Sequence, residues 1–150
     1  MIADHLGVSK ASVYYQFHSK DDIVLAVIRP MYAEIDQLIT EVEASPAGLA
    51  RRKAAVAGLV ELAVRHRRVT AIFYRDPAID SLVSTNDDCD AINQRFKKVL
   101  GMADEDTRTR VAMSLLIAGI YGSAMDPGLQ DVPDSELEQA LLDSASQIPL

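Results

Sequence analysis

Tryptophan is absent, cysteine occurs once and aromatic residues make up only 5% of the 150-residue chain. The single cysteine, Cys89, excludes an internal disulfide and suits a reducing compartment, so the cytoplasm is the expected location. The three histidines, His5, His18 and His66, stand at no metal-ligand spacing from one another or from Cys89, which leaves no zinc pattern. There is no phosphate-cradling glycine loop and no Gly-x-Ser-x-Gly elbow. Asp87, Asp88 and Asp90 cluster, but without the glycine and distal glutamate of a calcium loop, and read as solvated acids. The chain is therefore expected to be no enzyme and to carry no cofactor or metal. Long apolar runs are lacking too: the longest, over 111–125, is interrupted by Ser114 and Ser123 and is too short to span a membrane, and no signal peptide is visible. Positive charge is also scarce. Fifteen Lys and Arg stand against 22 Asp and Glu, a net charge of -7, which argues against a general nucleic-acid coat. The shortage is uneven, because residues 1–30 hold Lys10, Lys20 and Arg29 against Asp4, Asp21 and Asp22. That head is neutral, and the acidity lies in the rest.

What is present is aliphatic: 49% of the residues are hydrophobic, which with so few aromatics suits helices packed through Ala, Leu, Val and Ile. The stretch over 2–23 organises the remainder. Ile2, Ala3 and Leu6 fall on one face of a short helix. Gly7 ends it, since glycine takes a left-handed backbone without steric cost, and Ser9 follows as the N-cap of a second helix over 10–15. Val13 points back into the junction and Phe17 adds an apolar anchor. Ser19 then caps a third helix, whose first turn holds Asp21 and Asp22 at the positive end of its dipole. A helix-turn-helix of this kind lays its second helix in the major groove, with its first residues on base edges and its flanks on phosphates. Lys10 and Ser12 can reach base edges or phosphates. Tyr14 and Tyr15 can donate to phosphate oxygens, and Ser9, His18 and Lys20 complete the expected DNA-binding set.

Ile2-Ala3, Leu6-Gly7-Val8-Ser9, Val13-Tyr14-Tyr15, Phe17 and Ser19-Lys20 together resemble the tetracycline-repressor (TetR) family of transcription regulators. The resemblance covers about the first thirty residues; beyond them only the helix layout agrees. It implies a further helix and a basic arm ahead of Ile2. The sequence begins at Met1, where the family's second helix starts, so the head is expected to lack its first helix. Gln16 also departs from the family, which commonly has histidine there.

After the head, Ile23, Val27, Met31, Ile35, Leu38 and Val42 recur at spacings of four and three, predicting one long amphipathic helix over 20–43 with a kink or break at Pro30. The resemblance implies that this helix links head to body. A helix over 49–66 follows, with Arg65-His66-Arg67-Arg68 at its negative pole. A short helix is expected over 69–74. Another opens at Asp76-Pro77 and is interrupted over 84–88 before running to Gly101. A helix over 104–125 is apolar around most of its circumference and is expected to be buried on nearly all sides. Ser135 and Glu138 read as the capping box of a last helix with the stripe Leu137, Leu141, Ala145 and Ile148.

The expected fold is all-α, with a partial DNA-binding head over 1–30 and a ligand-binding and dimerisation body over 31–150. Leu59, Leu62, Phe73, Phe96, Met113, Ile117 and Tyr121 are candidates for lining an apolar effector pocket. Leu115, Ala118, Gly119, Gly122, Leu137, Leu141 and Ala145 are candidates for a homodimer interface built as a four-helix bundle, the pairing that the resemblance implies. The expected function is a transcription regulator that binds a double-stranded DNA operator and is released from it by a small-molecule effector, most simply as a repressor. The alternative is a ligand-binding or dimerising module that no longer touches DNA.

Overall fold

The structure is a computed structural model that describes residues 7, 9–73, 76–103 and 106–148. The described residues form eight α-helices and one 3-10 turn, with no strand among them. The chain divides into two compact units, Met1–Pro30 and Met31–Leu150. The expected first helix over 2–6 lies outside the described residues, as do Val8, Tyr74, Asp104 and Glu105. So does the side chain of Phe73.

In the first unit Gly7 takes φ 65°, a left-handed conformation that strains any side chain. Ser9 then caps α1, Lys10–Gln16, its Oγ accepting from the Ser12 amide at 3.0 Å. Ser19 and Asp22 form a reciprocal cap at the head of α2, Lys20–Glu43: the Asp22 amide donates to Ser19 Oγ at 3.0 Å and the Ser19 amide to Asp22 Oδ2 at 3.0 Å. Helix α2 passes through Pro30 without the expected break. A proline removes one donor from the ladder, and the hydrogen bonds on either side are enough to carry the helix on.

The second unit is built around α3, Leu49–Arg65, in which Ala55, Val56, Leu59, Val60, Leu62, Ala63 and Val64 are all buried. It packs against α4 (Arg67–Phe73), α6 (Asp87–Val99), α7 (Thr107–Ala124) and α8 (Asp134–Ser146), while α5 (Pro77–Thr85) packs against α6. Ile35, Ile39 and Val42 bring the second half of α2 into the same core. Three of these helices start where a side chain satisfies their first amides. Asp76 caps α5 ahead of Pro77, Asn86 both closes α5 and caps α6, and Asp106 caps α7. Two hydrogen bonds from the amides of Arg108 and Thr109 hold the Asp106 carboxyl below the usual carboxylate range.

Three expectations are corrected here. Arg67 does not sit at the negative pole of α3; it opens α4 at 6% exposure and ties the loop before α8. Its guanidinium donates to the carbonyls of Leu129 (3.3 Å) and Val132 (3.0 Å) and pairs with Asp134 at 2.6 Å. Helix α8 begins at Asp134 with Pro133 in the cap position, so Ser135 and Glu138 form no capping box. Helix α7 is not buried all round. Met113, Leu116, Ile120 and Ala124 face the core, whereas Val111 is 52% and Leu115 67% exposed, with Ala118, Gly119 and Gly122 open on the same side.

Candidate nucleic-acid interface

Helix α1 has no buried residue. Val13 and Phe17 are half-buried, which fixes the inward side of this short helix and turns Ala11, Ser12 and Tyr15 away from it. Tyr15 is 87% exposed and Tyr14 68%, far more than aromatic rings normally leave in water without a partner. Lys10 stands in the first turn, where its ammonium is displayed beside the free end of the helix. The cap doubles as a polar edge, with Ser9 Oγ and Ser12 Oγ hydrogen-bonded at 2.8 Å, one hydroxyl donating to the other, which keeps its own hydrogen to donate outward. His18 and Lys20 follow on the exposed turn, where the His18 amide donates to Asp22 Oδ2 at 2.9 Å. The turn is thus held by the backbone, and both side chains remain open to solvent.

These seven side chains line one continuous run of exposed chain carrying two permanent cations, two phenols and two hydroxyls. Such a run offers donors to phosphate oxygens on both sides of a helix narrow enough for a major groove. Gln16 shares the exposed surface. Its amide presents a donor and an acceptor together, the pairing that suits an adenine edge, and its position next to Tyr15 was the signal for adding it to the set.

Residues 1–27 match the profile of the bacterial regulatory proteins of the tetR family. The chain begins with a tetR-family DNA-binding head. A head of this type supports the coarse role of a DNA-binding transcription regulator. The tetR match ends at Val27, before the second unit begins. Comparison with curated proteins and with solved structures returns no match.

Behind this tetR-family head, the second unit treats the pocket and interface candidates differently from expectation. Leu59 and Met113 have no exposure at all and Leu62 has 8%, while Phe96, Ile117 and Tyr121 pack against the same core. These side chains belong to the packed core of the second unit. Leu62 lines an open groove of about 220 Å³ between α2 and α3 whose walls include Glu34, Glu41, Glu61 and Arg65. Of the interface candidates, Leu137, Leu141 and Ala145 are 3%, 8% and 5% exposed because their stripe lies on the chain's own α3. Leu115, Ala118, Gly119 and Gly122 remain on the surface. A stripe read from sequence has no address, and α3 offered α8 the nearer apolar face.

Proposed function

We propose that the protein is a ligand-responsive transcriptional repressor that acts in the cytoplasm as a homodimer and leaves its operator when a small molecule binds the body. The observation that carries the reading is α1, a capped helix with nothing buried and two bare tyrosines, inside the segment that matches the tetR family. Ser9, Tyr14, Tyr15, His18 and Lys20 are assigned to phosphates, and Lys10 and Ser12 to base edges. The exposed face of α7 is the surface for the second copy. In an antiparallel pairing about a twofold axis, Val111 and Leu115 of each protomer would lie over Ala118, Gly119 and Gly122 of the other, bulk against hollow. Two heads set one helical turn apart would read a near-palindrome, and an effector would act by preferring a dimer shape that DNA disfavours.

A gel-shift on the full chain tests this reading. Tyr15→Phe and Lys20→Ala should weaken binding to all sequences alike, by about threefold to tenfold each, whereas Lys10→Ala or Ser12→Ala should change which operator is preferred. Unchanged affinity in Lys20→Ala overturns its phosphate role. A parent chain that shifts no duplex at low salt favours the module that has lost DNA binding.

A further inference from the structure

Helices α3 and α8 leave a groove of about 160 Å³ between them that the packing of the core does not use. Its walls are Val56 and Ala57 from α3 and Leu142, Ala145 and Ile148 from α8. The one charged lining residue is Lys53, which stands one helical turn before Val56 and Ala57 and so on the same face of α3. Lys53 is exposed, and among the described residues it takes part in no ion pair. Ser146, the other polar lining residue, directs its hydroxyl hydrogen to the Asp143 carbonyl at 2.7 Å and is spent as a donor. Asp143 itself projects from a different side of α8, hydrogen-bonded to Gln139 at 2.9 Å. The groove is therefore an apolar slot with one unpaired cation at its mouth.

Apolar cavities of roughly 150 Å³ stay dry and accept a benzene ring. Small-molecule sites in general combine apolar walls with a few placed polar groups that fix orientation. We propose that this groove binds a small aromatic carboxylate, with the ring between Val56, Leu142 and Ile148 and the carboxylate facing Lys53 Nζ. Charge complementarity selects the anion: a cationic ligand of the same shape would meet the ammonium, and a neutral one would leave it unpaired.

The test is a methyl and amide NMR titration of the full chain with benzoate, benzyl alcohol and benzylamine. Benzoate should move the signals of Val56, Leu142 and Ile148 saturably in the millimolar range, benzyl alcohol more weakly and benzylamine least. Lys53→Met should weaken benzoate about twofold to fivefold, the size of an exposed ion pair, and leave benzyl alcohol unchanged. Ala57→Leu should fill the slot and weaken both. Equal binding of benzylamine and benzoate, benzoate binding untouched by Lys53→Met, or shifts that never saturate would each overturn the proposal. No DNA enters the titration, so its outcome and that of the gel-shift are independent.

Discussion

Arg67 shows how one side chain can carry more than its charge. Two of its hydrogen bonds reach backbone carbonyls of half-buried residues, while its ionic partner Asp134 is 66% exposed. The carbonyls therefore outweigh the ion pair. Arg67→Met should cost about 2 kcal/mol in urea unfolding, the penalty for leaving half-buried acceptors unmatched, and Asp134→Asn well under about 1 kcal/mol. Glu34 gives a second prediction at this scale. The Arg65 guanidinium at 2.6 Å, and then His66 at 3.1 Å, hold its carboxyl below the usual 4.5. A depressed carboxylate stabilises the fold above its unfolded value and loses that contribution as pH falls through the folded one. The stability difference between the parent and Glu34→Gln should thus be present at neutral pH and shrink once the pH drops below 4.5. A difference that grows on acidification would reverse the assignment.

At the scale of the element, α7 holds the sharpest contradiction between a helix and its own chain. Glycine inside a helix costs about 1 kcal/mol relative to alanine, yet α7 has Gly119 and Gly122, and a Cβ on either would meet nothing within 4 Å. Nothing within the chain requires glycine there; a close partner would. Gly119→Ala and Gly122→Ala should each raise the stability of the isolated protomer by about 0.5–1 kcal/mol and weaken self-association in sedimentation equilibrium. Leu115→Asp should abolish association with little effect on folding, since Leu115 is 67% exposed. Association unaffected by all three changes would remove α7 from the interface. In α1 the order of importance is reversed. A seven-residue helix with no buried residue depends on its cap, so Ser9 is structurally necessary as well as exposed.

For the whole molecule, the charge of -7 lies outside a head whose cations and anions number three each. DNA binding then has few counterions to release. With Lys20 from each of two heads on phosphates and Lys10 the other cation that could reach one, the logarithm of the binding constant should fall against the logarithm of salt concentration with a slope no steeper than about -4. A slope steeper than about -8 would require cations beyond these four, and a flat one would mean that they do not meet the duplex.

The sequence by itself determined the corner at Gly7, the caps at Ser9, Ser19 and Asp76, the long helix after Lys20 and the all-helical class, because each depends on residues within a few positions of one another. Local chemistry is written locally, and the exposed face of α1 was legible for the same reason. Only tertiary structure decided which apolar stripe met which. Leu137 and Leu141 were claimed by α3, Leu59 and Met113 went wholly into the core, and Arg67 went inward to carbonyls 62 and 65 residues away. Helical periodicity gives the direction in which a side chain points. It carries no information about the partner waiting there, which depends on how all the helices pack together.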